Sequence, residues 1–286
     1  MLQISTAHKI ALARGVYHTV RLARSVAGRG DVAEVSRRGI RWRLDLSEGI
    51  DFSIWLLGGF ELQTAAAYAR FVTAESVVLD IGANIGAHTL PFARAVGPAG
   101  KVVAFEPTSY AYGKLLSNIE RNPDLARRIE TRQVLLSASD GASNSPMIYS
   151  SWPLDERQGA HSAHKGQLMP TVGARARSLD TEVEDARLSR IDFIKLDVDG
   201  HEHTVLAGAR RTLQRFRPVI GLELCPYVFS DSPGAFASML QELDSHGYRL
   251  RDFGGREVPI DAHHLEGMIP WGKSTNVIAE PQPSRR

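Results

Sequence analysis

The spacing of apolar residues divides the chain into two stretches. From Ser76 onward, short apolar runs alternate with segments of helical periodicity. The runs lie at 77–81, 101–105, 131–136, 192–196, 219–224, 248–250 and 276–279. The helical segments are one ending at 96 and others near 108–121, 202–216 and 234–246. Short apolar strands separated by amphipathic helices predict an α/β fold, a Rossmann-like parallel sheet with helices on both faces.

The first part of the chain follows a different pattern. Between residues 3 and 27, apolar residues recur near helical spacing with arginines among them, which predicts an amphipathic helix that ends at Gly28. The alternation in residues 39–46 predicts a strand of a β-hairpin. We therefore divide the chain into an N-terminal extension of helix and hairpin, 1–72, and a core domain, 73–286.

Composition and charge narrow the class of protein. The chain has 286 residues, 43% of them hydrophobic, and a net charge of +2. Residues 1–43 hold nine basic and two acidic side chains, which we interpret as a solvated face, with peripheral membrane contact as the alternative. The single cysteine, Cys225, excludes an intrachain disulfide. No run approaches the roughly 18 apolar residues of a membrane span, so we expect a cytoplasmic protein.

Residues 77–86, Val-Val-Leu-Asp-Ile-Gly-Ala-Asn-Ile-Gly, form the most informative motif. The pattern predicts a strand, a tight turn and a helix, and Gly82 permits the close ligand approach that a side chain would block. The spacing from Gly82 to Gly86 lacks the third glycine of a dinucleotide-binding loop. Asp80, at the strand end, would repel a phosphate but attract the ammonium and sulfonium charges of S-adenosylmethionine. We therefore predict S-adenosylmethionine as the cofactor.

A second acidic residue supports this prediction. Glu106 follows the next apolar run, so it lies at the end of the second predicted strand. A carboxylate there can accept both hydroxyls of a ribose, as it does in dinucleotide enzymes. Glu106 alone does not distinguish the two cofactors, whereas Asp80 and the glycine spacing do.

Residues 191–203 are dense with titratable groups. The predicted strand delivers Asp197 to its carboxyl end, and Asp199 shares its face if the chain stays extended. Asp199 and Glu202 also have the spacing of a capping box, so a structural role explains them equally well. We interpret Lys195 as a partner of one of these carboxylates.

Methylation of a hydroxyl requires removal of its proton, which a carboxylate, a histidine or a metal can assist. The candidate catalytic residues are Asp197, Asp199 and His201, which lie at the same predicted strand end. With Glu223, at the end of the next strand, the two aspartates could hold Mg²⁺, although we favour a site without metal.

The segment 141–170 has no clear periodicity and is rich in Ser, Gly, Pro and His. A long irregular insertion after a central strand is often functional. His161 and His164 in it are further candidate bases. We expect this insertion and the N-terminal extension to shape the acceptor pocket.

Three motifs in this order resemble the FkbM family of methyltransferases. They are Asp80-Ile81-Gly82-Ala83-Asn84-Ile85-Gly86, then Phe105-Glu106-Pro107, then Ile194-Lys195-Leu196-Asp197-Val198-Asp199-Gly200-His201-Glu202. The resemblance covers about residues 76–225. It implies a seven-stranded class I methyltransferase sheet, S-adenosylmethionine as donor, and O-methylation of a sugar, a glycolipid or a secondary metabolite.

The resemblance also implies roles for single residues. The donor's loop would be formed by Asp80, Gly82, Asn84 and Gly86. Glu106 would hold the ribose, Ser137 would lie near the adenine, and Asp197 would face the methionine end or the acceptor. The chain has Asp199 where many members have glutamate, which leaves the role of that residue open.

Other functions remain to be distinguished. A nucleic-acid methyltransferase would carry an aromatic-flanked polar motif after the fourth strand, where this chain has Asp-Gly-His-Glu, so we expect no nucleic-acid partner. A non-catalytic module that binds S-adenosylmethionine is the other alternative, because fold does not fix function. We expect a small-molecule or carbohydrate acceptor, and the sequence leaves its identity and the oligomeric state open.

Overall fold

The N-terminal part of the chain forms a helix, a hairpin and two further helices. The computed structural model describes residues 6–141, 147–155, 166–230 and 232–283. The first elements are α1 (Thr6–Val26), β1 (Val32–Arg37), β2 (Ile40–Asp45), α2 (Gly49–Leu57) and α3 (Leu62–Tyr68). β1 and β2 pair antiparallel in register, as the predicted hairpin requires. The division into an extension and a core domain stays a prediction.

The other strands belong to one large sheet and two small ones. In chain order they are β3 (Val77–Ile81), β4 (Lys101–Phe105), β5 (Ile129–Arg132), β6 (Val134–Leu136), β7 (Met147–Ser151), β8 (Gln167–Pro170), β9 (Arg175–Arg177), β10 (Phe193–Leu196), β11 (Val219–Leu224), β12 (Tyr248–Arg251), β13 (Glu257–Val258) and β14 (Thr275–Pro281). The large sheet has the order β13-β12-β14-β11-β10-β3-β4-β5. β11, β10, β3, β4 and β5 are parallel, and β14 runs antiparallel to both of its neighbours.

Helices cover both faces of this sheet. They are α4 (Thr89–Ala95), α5 (Ser109–Glu120), α6 (Pro123–Ala126), α7 (Leu179–Asp185), α8 (Glu202–Ala207), α9 (Arg210–Phe216), α10 (Ala235–Ser245) and α11 (Ala262–Met268). Alternate strand residues face opposite sides, so Val78 belongs to one buried cluster and Leu79 to the other. The cluster of Val78 includes Trp42, Phe52 and Tyr68 from the N-terminal elements. The predicted α/β class is confirmed, with the two-residue strand β13 added at the edge.

The strand order reverses at β3, whose neighbours are β4 on one side and β10 on the other. Ligands of open α/β sheets bind outside the carboxyl ends of the strands at such a switch point. The fold therefore brings the ends of β3, β4 and β10 together at one edge of the sheet.

The prediction of a single strand at 131–136 is wrong, because this segment contains parts of two strands. β5 ends at Arg132, and β6 then pairs with β9 in a separate two-stranded sheet. β5 is the last strand of the large sheet, so the chain can leave that edge and pair elsewhere. The apolar pattern carries no information about this change of partner.

Part of the insertion at 141–170 forms a hairpin, although its sequence has no clear periodicity. β7 and β8 pair antiparallel with an irregularity between Tyr149 and Ser151, so that Ser150 is the extra residue of a bulge. The candidate bases His161 and His164 lie outside the described residues.

The predicted N-terminal helix is present as α1, and several of its large apolar side chains are exposed. Leu12 is 71% exposed, Leu22 69% and Val26 84%. Contact of this helix with a membrane surface stays a prediction. Among the described residues, none of the helices has the length and apolar character that crossing a bilayer demands.

The predicted helix at 202–216 is broken into α8 and α9 at Gly208. A Cβ at Gly208 would lie 2.1 Å from the carbonyl oxygen of Ser137, so the close approach of these two segments requires glycine. The carboxylate of Asp180 accepts hydrogen bonds from the amides of Arg211 and Thr212, at 3.0 and 2.7 Å. It thereby pairs two backbone N–H groups in the first turn of α9, which have no partner within the helix. These contacts between distant segments explain the break.

We predict that Gly208→Ala lowers the melting temperature by several degrees. The new methyl group has to push backbone atoms apart, and such overpacking costs about 1–3 kcal/mol. Gly113→Ala in the middle of α5 is the matched control, because nothing lies within 4 Å of its added Cβ. The control should be neutral or stabilising by up to about 1 kcal/mol. Equal melting temperatures for both variants, measured by circular dichroism, would contradict the packing argument.

Candidate functional site

Acidic side chains gather at the carboxyl ends of the central strands. Asp80 is the fourth residue of β3, Glu106 follows β4, and Asp197 follows β10. Glu223 is the fifth residue of β11, the next strand of the sheet. These residues lie at strand ends, as the apolar pattern predicts, and the parallel strands bring them to one edge of the sheet.

The turn after β3 is pressed against the end of β10. Gly82 has a positive φ of 79°, and a Cβ there would lie 1.9 Å from the carbonyl oxygen of Asp197. The amides of Gly82 and Ala83 both donate to the carbonyl oxygen of Phe105, at 3.0 and 2.9 Å. This turn is therefore held by β4 and β10, and only glycine fits at its first position.

Asp80 is fully buried, and its two oxygens have different surroundings. Oδ2 accepts a hydrogen bond of 2.6 Å from Thr89 Oγ1 on α4. Oδ1 accepts no hydrogen bond from the residues that the structure describes and lies 3.7 Å from Lys195 Nζ. Because buried polar atoms are usually paired, this oxygen marks a place where a ligand donor would be favourable.

Lys195 is buried among the carboxylates. It lies opposite Asp80 in the parallel register of β10 and β3, so both side chains emerge on the same face. Its Nζ donates to the carbonyl oxygen of Gly82 at 2.7 Å and lies 3.3 Å from Asp197 Oδ2. Burial by itself lowers the pKa of Lys195, but Asp197 and Asp80 together raise it above the usual value. The interpretation of Lys195 as a carboxylate partner is confirmed.

Glu106 is 3% exposed and makes four hydrogen bonds. Oε1 accepts from the amide and hydroxyl of Thr108, at 2.9 and 2.5 Å, and from Ser150 Oγ at 3.3 Å. Oε2 accepts from the amide of Asn84 at 3.0 Å. Burial raises the pKa of Glu106, and the bonds from Thr108 and Asn84 oppose that rise.

An apolar cleft opens between these strand ends. Its lining includes Ile81, Phe105, Leu136, Ile148 and Val198. Ile148 comes from β7, so the described part of the insertion lies over the predicted donor side of the site. The cleft is narrow, and apolar walls of this kind are what ligand pockets present to a flat ring.

Two predicted candidates lie on or near this cleft. His201 is part of the cleft wall, and burial lowers its pKa. Ser137 directly follows the cleft residue Leu136, and its amide donates to the carbonyl oxygen of Arg177. His201 is thus part of the cleft, whereas Ser137 is only adjacent to it in sequence, and the roles of both residues towards the donor stay predictions.

The chain does not stay extended after Asp197, contrary to the first expectation for Asp199. Asp199 has a φ of 48° and Gly200 a φ of 98°, so the backbone turns there. The capping box is also wrong, because the residue before α8 is His201 and it makes no side-chain capping bond. Glu202 instead accepts from the amides of Val198 and Gly200, both at 3.0 Å. The turn at Asp199 and Gly200 brings both of these amides to the Glu202 carboxylate.

Asp199 and Glu223 are both driven towards their protonated forms. Burial, with the negative charges of Asp197 and Glu223, raises the pKa of Asp199 well above its usual value. Burial and Asp197 raise the pKa of Glu223 to about 8, although its Oε1 accepts a hydrogen bond from Ser274. Within the described part of the chain, no three His, Cys, Asp or Glu side chains form a group that could hold a metal ion. The magnesium hypothesis therefore gains no support.

A buried histidine and its aromatic neighbours lie near Asp80 and Lys195 and were not predicted from the sequence. His88 is buried beside Tyr68 and Phe92, with ring centroids 5.9 Å from each. Burial and the neighbouring Lys195 lower the pKa of His88 to about 4. The position of His88, two residues after Gly86, was the available signal, but its partners Tyr68 and Lys195 are remote in sequence.

A family model and several known proteins match this chain. The family model, described as the methyltransferase FkbM domain, matches residues 80–250. Hexuronic acid methyltransferase AglP of Haloferax volcanii is 31% identical over 191 residues, which are 66% of this chain and 72% of that protein. Methyltransferase 1 of Beauveria bassiana is 27% identical over 193 residues, 62% of this chain and 73% of that protein. The solved structure of methyltransferase FkbM from Methylobacillus flagellatus matches 72% of this chain and 43% of that chain, with 20% identity and a TM-score of 0.43.

We predict that the free energy of unfolding decreases as the pH rises from 4.5 to about 8, because of Glu223. In that window the folded protein keeps the proton that an unfolded glutamate, with its ordinary pKa of 4.5, has released. One such group contributes a slope of at most about 1.4 kcal/mol per pH unit.

Denaturant unfolding of the wild type and Glu223→Gln at several pH values measures this contribution. The variant should show a weaker dependence on pH, whereas Glu120→Gln, at an exposed position, should follow the wild type. Parallel curves for the wild type and Glu223→Gln would show that Glu223 ionises normally.

Proposed function

Because the chain belongs to the FkbM family of methyltransferases, we propose that it transfers a methyl group from S-adenosylmethionine to a hydroxyl of a carbohydrate. As a member of that family it is an S-adenosylmethionine-dependent methyltransferase. The observation that carries the proposal is the pairing of buried Asp80 and buried Glu106 at neighbouring strand ends, with an apolar cleft beside them.

The described residues fit the donor group by group. Asp80, whose Oδ1 accepts no hydrogen bond from the described residues, suits a cationic donor, and Glu106 suits ribose hydroxyls. Ile81, Phe105 and Val198 offer the apolar walls that an adenine needs. With Gly82, Asn84 and Gly86, these residues would hold the donor, which supplies an electrophilic methyl group on its sulfonium centre.

Among the candidate catalytic residues, Asp197 is the best placed to accept the proton of the hydroxyl. Its side chain is 34% exposed, and its carboxylate is paired with Lys195. Burial and the neighbouring negative charges raise the pKa of Asp199, which makes it a poorer candidate for the base than Asp197. His201 lies on the wall of the apolar cleft, on the donor side.

The proposal of a carbohydrate acceptor is supported by a relative of this chain. AglP is named for the methylation of a hexuronic acid, and the chain covers 72% of it. A glycolipid or a secondary metabolite offers the same kind of hydroxyl group. An assay with acceptors of each class distinguishes these possibilities. A nucleic-acid acceptor would instead require strongly salt-dependent binding of a polynucleotide.

One prediction of the proposed function concerns the donor. Calorimetry should detect binding of S-adenosylmethionine and S-adenosylhomocysteine but no binding of NAD. Asp80→Asn should weaken S-adenosylmethionine binding about tenfold or more, because a hydrogen bond to a charged group is lost with little change in volume. Exposed Glu120→Gln is the control. Unchanged donor affinity in a folded Asp80→Asn variant, or binding of NAD alone, would refute the assignment of this loop.

A further prediction of the proposed function concerns the acceptor and the general base, Asp197. S-adenosylhomocysteine formation should rise above background with uronic-acid glycosides, and we expect neutral sugars, glycolipids and polyketide alcohols to be poorer acceptors. Asp197→Asn should lower kcat by about 100-fold or more, as loss of a general base does. Parallel assays with EDTA and with Mg²⁺ test metal dependence. Donor binding without turnover on any acceptor would favour the non-catalytic module, and full activity of Asp197→Asn would exclude it as the base.

A further inference from the structure

The donors to Glu106 crowd one of its two carboxylate oxygens. Each oxygen offers about two lone-pair sites. Oε1 accepts from three donors, the amide and hydroxyl of Thr108 and the hydroxyl of Ser150, whereas Oε2 accepts only from the amide of Asn84. A ribose that binds one hydroxyl to each oxygen therefore has to displace a donor from Oε1.

Ser150 makes the most easily displaced of the four bonds. Its Oγ lies 3.3 Å from Glu106 Oε1, the longest of the four distances. The amides of Thr108 and Asn84 belong to the backbone next to β4 and in the loop after β3, so they cannot leave without moving the site itself. The Thr108 hydroxyl also caps α5, by accepting from the amide of Ala111.

The bulge in β7 explains why Ser150 reaches Glu106. The pairing of β7 with β8 continues from Tyr149 to Ser151, so Ser150 stands outside the regular ladder. Bulges are common beside active sites, where they redirect a side chain. The Asn84 amide group donates to the carbonyl oxygen of Ser150 at 3.1 Å and to its hydroxyl at 3.3 Å. The Ser150 hydroxyl also lies 2.9 Å from Thr108 Oγ1, so its single proton can turn from Glu106 to Thr108. Its bond to Glu106 can therefore break while the backbone contact to Asn84 remains.

We propose that Ser150 is a positioning residue of the donor site, whose hydroxyl fills a ribose position on Glu106 until the donor displaces it. This inference rests on the proposed function, because it takes Glu106 as the ribose carboxylate. In the donor-free protein, Ser150 adds one hydrogen bond to a buried carboxylate that Thr108 and Asn84 also hold. The bond between Ser150 and Glu106 thus lowers donor affinity while keeping the empty site folded.

Ser151 provides a matched control. It is the next residue of β7, and it is as buried as Ser150, 2% against 3% exposed. Its hydroxyl donates to the carboxylate of Glu48, at 3.0 and 2.9 Å, rather than to Glu106. Ser150→Ala and Ser151→Ala therefore each remove one buried hydroxyl, but only the first frees the predicted ribose carboxylate.

The test is calorimetric titration of the wild type and both variants with S-adenosylhomocysteine, adenosine and 2′,3′-dideoxyadenosine. We expect Ser150→Ala to bind S-adenosylhomocysteine and adenosine about tenfold more tightly than the wild type, since one competing bond to a charged group is gone. Dideoxyadenosine has no ribose hydroxyls, so its affinity should be the same in both. Ser151→Ala should bind all three ligands as the wild type does.

Each other outcome has a distinct meaning. Weaker or unchanged binding of adenosine by a folded Ser150→Ala variant would overturn the inference, and so would an equal gain for dideoxyadenosine. If Ser150→Ala fails to fold, Ser150→Gly and Ser150→Val, which also lack the hydroxyl, take its place in the same comparison. Failure of the wild type to bind S-adenosylhomocysteine at all would instead refute the proposed function.

Discussion

The site depends on a buried cation, the ammonium of Lys195, which lies between the buried carboxylate of Asp80 and the partly exposed carboxylate of Asp197. Parallel register sets Lys195 opposite Asp80, and the next residue on the same face of the strand is Asp197. The same ammonium donates to the carbonyl oxygen of Gly82, so it also holds the first loop. Removing one partner of such a buried group is costly, because the remaining charge is left uncompensated. The remaining groups of the site are arranged around this cluster.

The two ends of the candidate donor site differ in how completely their polar groups are satisfied. Asp80 keeps one oxygen without a hydrogen bond among the described residues, whereas donors from Thr108 and Ser150 crowd Oε1 of Glu106. A ribose that binds Oε1 would have to compete with these donors. Ser150 belongs to β7, so in the proposed donor site this strand of the insertion contacts the ribose carboxylate, whereas the sequence predicts that the insertion shapes the acceptor pocket.

The N-terminal elements contribute to the core as well as to the surface. Trp42, Phe52 and Tyr68 share a buried cluster with the strands, and the ring centroid of Tyr68 lies 5.1 Å from that of Phe193. Tyr68 and His88 therefore lie on the same face as Asp80 and Lys195. Because Asp197 is partly exposed beside them, this face is where we expect the acceptor to approach.

The sequence by itself determined most strands of the large sheet, the turn at Gly82 and the acidic residues at strand ends, because apolar periodicity and glycine act locally. It also indicated the family, through three motifs in order. Tertiary structure decided the break at Gly208, the turn at Asp199 and the bond from Ser150 to Glu106. Each of these depends on two segments that are remote in sequence but meet in space, such as Gly208 with Ser137. A periodic pattern records which face of an element is buried, but it does not record which distant backbone or side chain covers that face.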